Sequence, residues 1–259
     1  MGVMDGKVSI ITGAGTGIGK VAAVMFAEAG SDLVLAGRRQ APLDEVAELA
    51  REHGVDVEVR PTDLEDGDAA ADLGKWSLER FGKVDILVNN AGHSSRVRSL
   101  RYVGPDEWDS VFKVNVEGVY RLTQSVLANM IDRGTGTVIT VSSMAALNPG
   151  LLGGAPYSAA KAASLNMIRG MNTELAKFGV RACAIMPGEV DTPILENRPR
   201  PPDADDRSTM MQAEDIAQAI FLCAAMPQRT IVEQVVMMPT MRRDTSRDMV
   251  AAEIEGSNR

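Results

Sequence analysis

Apolar runs of strand length alternate with helix-length amphipathic stretches along nearly the whole chain, and this alternation constrains the fold more than any other feature. The strand-like runs fall at 7–11, 32–36, 55–59, 84–88, 136–141, 180–186 and 231–238. Between them the 3.6-residue spacing predicts helices over about 20–29, 42–53, a stretch ending near 81, 105–132, 156–177 and 214–225. Strands separated by helices must be joined by crossovers, which favour parallel neighbours. The expected fold class is therefore α/β: one doubly wound parallel sheet of about seven strands with helices on both faces. No repeat, low-complexity block or domain boundary interrupts the pattern, so one domain over 1–259 is expected. Ligands of such sheets lie beyond the carboxyl ends of the strands, and the unusual residues of this chain gather at those ends.

The first run ends in Thr12-Gly13-Ala14-Gly15-Thr16-Gly17-Ile18-Gly19 and leads into a helix. Strand, glycine turn and helix in that order suit a dinucleotide. Glycines let the backbone approach a pyrophosphate, and the helix N-terminus offers free N–H groups and positive dipole. Gly13, Gly15, Thr16, Gly17, Ile18 and Gly19 are thus the candidate cofactor residues of this turn. The second run ends in Gly37-Arg38-Arg39, where an acidic residue would bind the ribose 2′-hydroxyl of NAD. Gly37 removes that carboxylate, and Arg38 supplies a planar cation suited to a 2′-phosphate. NADP(H) is favoured over NAD(H) on this ground, the alternative being that Arg38 and Arg39 are solvated loop charges. Asp63, after the third run, either accepts from an adenine amine or caps the following helix. Asn89-Asn90-Ala91-Gly92 closes the fourth run with small residues that permit close backbone approach.

The chemistry concentrates between Ser143 and Lys161. Tyr157 and Lys161 are four apart and share a helix face. A lysine ammonium one turn away is expected to lower the tyrosine pKa and fit the phenol for proton transfer. Ser143, at the end of the fifth run, can place its hydroxyl beside that phenol and hold a carbonyl oxygen, although Ser142 competes for the role. Asn115 falls inside a predicted helix, where asparagine competes for backbone bonds; either a local kink with a bound water or an exposed accident accounts for it. Residues 193–208, rich in Pro, Arg and Asp, are expected to form a mobile substrate loop or lid over a site, the alternative being a plain solvated connection. The charged tail over about 240–259 is expected to fray.

Bulk properties narrow the partners. A net charge of −8 without a basic block argues against nucleic acid. No apolar run reaches the roughly 20 residues that span a bilayer, so no membrane partner is expected. His53 and His93 are the only histidines and no cysteines cluster, so no metal site is expected. Cys183 and Cys223 in apolar runs suggest buried thiols in a reducing, cytoplasmic setting.

In order and spacing, Thr12-Gly13-x-x-x-Gly17-x-Gly19, Asn89-Asn90-Ala91-Gly92, Asn115, Ser143, Tyr157-x-x-x-Lys161 and Pro187-Gly188 followed by Thr192 resemble the short-chain dehydrogenase/reductase superfamily, in its compact form of about 250 residues. The resemblance covers about 7–238. It implies a Rossmann fold and an NAD(P)-dependent oxidoreductase that interconverts a secondary alcohol and a ketone. By the same resemblance Tyr157 is the general acid/base and Ser143 orients the carbonyl. Lys161 binds the nicotinamide ribose and depresses the tyrosine pKa, and Asn115 holds a water that relays protons. Asp63 and Leu64 meet the adenine, Asn90 the adenosine side, and Val190 and Thr192 the nicotinamide carboxamide. A homodimer or homotetramer is implied, through the helices carrying Asn115 and Tyr157. The ending Val235-Val236-Met237-Met238-Pro239-Thr240 is similar to the branch acting on 3-hydroxy acids and serine. The same chemistry with NAD(H), and a non-catalytic cofactor-binding regulatory protein, are the competing readings. Arg96, Arg98, Arg198 and Arg200 are candidates to meet an acidic substrate, against the ordinary expectation that exposed arginines are only solvated.

Overall fold

The structure, a computed structural model, describes residues 2–257. Seven strands, β1 (Val8–Thr12), β2 (Asp32–Gly37), β3 (Val57–Pro61), β4 (Ile86–Asn89), β5 (Gly136–Val141), β6 (Val180–Pro187) and β7 (Gln234–Met237), form one sheet in the order β3-β2-β1-β4-β5-β6-β7. Every pairing is parallel, with Ile10 opposite both Val34 and Leu87 in the middle of the sheet. The chain winds outward from β1 to β3 and returns to place β4 on the other side of β1. The crevice where the winding reverses opens at the carboxyl ends of β1 and β4, where a ligand of this fold class sits.

Alternate side chains of each strand point to opposite faces, and each face is covered by helices. Ile11, Leu35, Val88, Ile139 and Ile185 pack beneath α1 (Gly17–Glu28), α2 (Gln40–Arg51) and α8 (Ala213–Ala225). Ile10, Val34, Leu87, Val138 and Ala184 pack beneath α3 (Gly67–Phe81), α5 (Gly118–Asp132) and α6 (Ala155–Leu175). The strands are apolar on both sides because both faces are dry.

Four expectations need correction. The helix expected over 105–132 is α4 (Pro105–Phe112) and α5 joined by a π turn at Lys113–Glu117. Asn115 is the buried residue of that turn, so the accident of an exposed asparagine is ruled out. Asp63 does not cap α3. Asp66 does, accepting from the N–H groups of Asp68 and Ala69, while Asp63 accepts from Glu65 N–H in the loop before it. The segment 193–208 is ordered into a 3-10 turn, Pro193–Asn197, and a short helix α7 (Ala204–Ser208) with a capping box from Asp203. Finally, the tail forms α9 (Ser246–Ile254); 258 and 259 lie outside the described residues.

Candidate active site

A cavity of about 610 Å³ runs along the carboxyl edge of the sheet, lined from the glycine turn at one end to Tyr157 and Arg198 at the other. At the first end, β1 hands the chain to α1 through a turn that only small residues can make. Gly13 holds a positive φ of 65°, and a Cβ on Gly19 would sit 2.3 Å from the Gly13 carbonyl oxygen. Thr12 fastens this turn to β4: its hydroxyl donates to Val88 O and accepts from the N–H groups of Asn90 and Ala91. Asn90 Nδ2 in turn donates to Thr12 O at 2.9 Å. The N-terminus of α1 has no side-chain cap and no acidic residue in its first turn. Its N–H groups and dipole therefore face the cavity uncompensated, as an anion requires.

Arg38 and Arg39 stand exposed on the wall beyond β2, with Asp63 and Leu64 beside them at the end of β3. At the end of β6, Val190 bridges to Met211 and the Thr192 hydroxyl donates to Val190 O. The Thr192 methyl lies over Gly17, 3.3 Å from where a Cβ would be. The loop after β6 is thereby closed down on the glycine turn.

The other end of the cavity collects Ser143, Tyr157 and Lys161, with Asn115 behind Gly92. Ser143 opens a 3-10 turn, Met144–Ala146, and accepts from Ala145 N–H. Ser142 is buried in the sheet edge and donates to Lys161 O at 3.0 Å, which makes it a brace for α6 and leaves Ser143 beside the phenol. Lys161, only 4% exposed, donates to Val141 O at 2.8 Å, with Nζ 5.6 Å from the Tyr157 ring centre. Asn115 Nδ2 donates to His93 O at 2.6 Å and to Val111 O at 2.8 Å. A π turn leaves a helical carbonyl without its usual partner, and the asparagine side chain takes that place. A Cβ on Gly92 would lie 3.3 Å from Asn115 Oδ1 and 3.4 Å from Lys161 Nζ, so both side chains border one small space.

The electrostatics differ from the sequence expectation. Burial pushes the Tyr157 phenol above its ordinary range, and the opposing pulls come from the Ser143 hydrogen bond and the cations Arg98 and Arg198. Lys161 is not among those pulls, and its ammonium donates to Val141 O. Burial also pushes Lys161 down from 10.5 to about 8. Below pH 8 both folded and unfolded chains carry the charge, and burying it costs about 3 kcal/mol. Between pH 8 and about 10.5 the folded state releases the proton first, and the cost is progressively removed. Raising the pH from about 7.5 to about 9.5 should therefore shift the stability difference between wild type and Lys161→Met toward wild type. Thermal unfolding of both proteins across that range checks it, and a constant difference would contradict the burial argument.

The structure also brings to the cavity residues that the sequence did not single out. Met241, Arg242, Arg243 and Thr245 line it from the C-terminal segment. Arg243 donates to Glu189, Asp206 and Asp248, and Arg200 donates to Asp206 and Asp248. These pairs tie the segment after β6, α7 and α9 into one charged cluster.

The family model of the short chain dehydrogenases matches residues 7–203. An uncharacterized oxidoreductase of Staphylococcus aureus (strain USA300) is 34% identical over 92% of this chain and all of its own. The 3-oxoacyl-[acyl-carrier-protein] reductase of Thermotoga maritima is 30% identical over 90% of this chain and 96% of its own. Among solved structures, a metagenomic short-chain oxidoreductase in complex with NADP superposes with a TM-score of 0.80 at 29% identity, covering 93% of this chain and 100% of that one. An alcohol dehydrogenase from the archaeon Thermococcus sibiricus, complexed with 5-hydroxy-NADP, gives 0.82 at 29% identity over 92% and 98%. This chain belongs to the short-chain dehydrogenase/reductase family. It is an oxidoreductase built on a Rossmann-type sheet, and among the described residues no helix is long and apolar enough to cross a membrane.

Proposed function

We propose that the protein interconverts a secondary alcohol and a ketone with NADP(H), Tyr157 serving as the general acid/base. The observation that carries this reading is the convergence of Ser143, Tyr157 and Lys161 on the cavity that also contains the glycine turn, with Asn115 and Lys161 both beside Gly92. The residues fit a dinucleotide phosphate: the uncapped α1 N-terminus and the side-chain-free surface at Gly13, Gly15 and Gly17 suit a pyrophosphate. Asp63, Leu64 and Asn90 would border the adenosine half, and Val190 and Thr192 the nicotinamide half. Once bound, the nicotinamide would supply or accept the hydride.

The remaining chemistry falls to side chains. Ser143 would hold the carbonyl oxygen by donating a hydrogen bond. Tyr157, kept protonated by its burial, would give that oxygen its proton during reduction and take it back during oxidation. Lys161, with a pKa near that of a working proton carrier, and Asn115 beside it would reload the tyrosine. The free, buried thiols Cys183 and Cys223 suit a reducing, cytoplasmic compartment.

The choice of NADP(H) rests on Gly37 and Arg38, which leave the end of β2 with cations where NAD would want a carboxylate. Titration with NADPH and NADH, followed by nicotinamide fluorescence, tests it. Arg38→Ala should weaken NADPH binding by roughly tenfold to a hundredfold, the worth of a charge-assisted phosphate contact, and leave NADH little changed. Equal binding of both cofactors by wild type would overturn the assignment.

A further inference from the structure

The four arginines that are candidates for an acidic substrate are sorted by the structure into two pairs. Arg96 pairs with Glu255, and Arg200 with Asp203, Asp206 and Asp248; neither lines the cavity. Arg98 and Arg198 do line it. Arg198 shares the carboxylate of Glu189 with Arg243. Arg98 is only 3% exposed, yet no carboxylate of the described residues forms an ion pair with it.

Arg98 is also held firmly. Nη1 donates to Gly153 O at 2.6 Å, and the Arg98 carbonyl accepts from Ala155 N–H at 2.9 Å. Gly154, at a positive φ of 81°, lets the backbone lie on the arginine stem: a Cβ there would be 2.7 Å from Arg98 Cδ. The side chain is thus clamped onto the first turn of α6, two residues before Tyr157. Its donors are incompletely used. Nη2 has only a 3.4 Å contact with Ser94 Oγ, and Nε has no partner. A buried cation without a matching anion is costly, and such groups are normally paired.

Resting on the alcohol–ketone reading above, we propose that the substrate carries a carboxylate, and that Arg98, with Arg198 at the rim, is the site that receives it. The anion enters beside Tyr157, completes the donors of Arg98, and fixes the distance between the charged group and the carbon that reacts. Burial and the neighbouring Arg198 push Arg98 down to about 10, against the opposing pull of Tyr157. Glu107 acts on Arg98 in the opposite sense, while its own Oε1 accepts from Val97 N–H.

The test uses the whole protein with NADPH and three matched pairs of probes: 2-, 3- and 4-oxopentanoate and their methyl esters. In at least one pair the wild type should prefer the acid by roughly tenfold or more in kcat/KM, the effect of one charge-assisted contact. Arg98→Gln, which removes the charge and keeps an amide donor on the stem, should collapse that ratio, and Arg198→Gln should reduce it in part. Esters used as well as acids by wild type, or an unchanged ratio in Arg98→Gln, would overturn the proposal. An equal fall on acid and ester would make Arg98 a group that acts on Tyr157 instead, and would overturn it too. If no probe is turned over, the alcohol–ketone reading is what suffers. The anion site is then decided by the thermal midpoint of the NADP-bound protein, which pentanoate should raise above pentanamide in wild type and not in Arg98→Gln.

Discussion

Replacing Tyr157 by phenylalanine is expected to lower kcat by roughly 10²–10⁴-fold while NADPH binding changes little, since general acid/base catalysis contributes about that much. The ring would keep its place: it sits in the first turn of α6, close to Gly153 and half-buried against the cavity wall. Only the hydroxyl beside Ser143 is lost. The direction of the pKa shift adds a pH signature. Because burial holds the phenol protonated, carbonyl reduction has its proton donor ready throughout the neutral range. Alcohol oxidation needs the phenolate, so its rate should climb as pH rises toward the elevated pKa. Steady-state rates in both directions, with cofactor affinity measured separately, check both statements. A variant that turns over like wild type would remove Tyr157 from the chemistry. A variant that loses NADPH affinity as well would make the hydroxyl part of the cofactor site.

How far the sequence reaches can be judged from particular residues. The order of strands and helices is legible because both faces of a parallel sheet are dry, and apolar runs then mark strands directly. The turn at Gly13–Gly19 is legible because its physics is local: positive φ and close approach demand glycine. Asn115 announces itself as an anomaly in a helix, but the π turn that accommodates it depends on His93 and Val111 accepting its amide. The tyrosine pKa shows the limit most plainly. Spacing places Lys161 on the right face, and only the packed structure reveals that its ammonium is occupied by Val141 O. The C-terminal segment is the least legible part. Charge-rich sequence reads as a solvated tail, whereas Arg243 finds its partner Glu189 across 54 positions, a pairing that no local pattern encodes.

Arg181→Met is expected to be the most destabilising of these substitutions, costing about 3–4 kcal/mol and lowering the melting temperature by roughly 10 °C. An arginine in the second position of a buried strand contradicts the apolar pattern around it, and the structure supplies the reason. All its donors are used: Nε to Thr137 Oγ1, Nη1 to the carbonyls of Pro227 and Thr230, and Nη2 to those of Ala224 and Met226. These carbonyls belong to the last turn of α8 and the loop that follows, where a helix has no internal donors left. The positive charge also faces the negative end of the helix dipole. Methionine fills the volume but strips the buried Thr137 hydroxyl and Ala224 carbonyl of their donor and weakens the half-buried carbonyls of Met226, Pro227 and Thr230, and lysine, with a single point of donation, should recover only part of the loss. The site lies at the amino end of β6, whereas Pro187 and the cavity lie at its carboxyl end. Well below the melting temperature, NADPH affinity should therefore stay near that of wild type. Chemical denaturation with cofactor titration separates the two effects. A stability change below about 1 kcal/mol would mean that the five bonds merely replace equivalent bonds to water. A parallel loss of cofactor affinity would mean that the two edges of the sheet are mechanically coupled, instead of one edge anchoring the fold and the other carrying the chemistry.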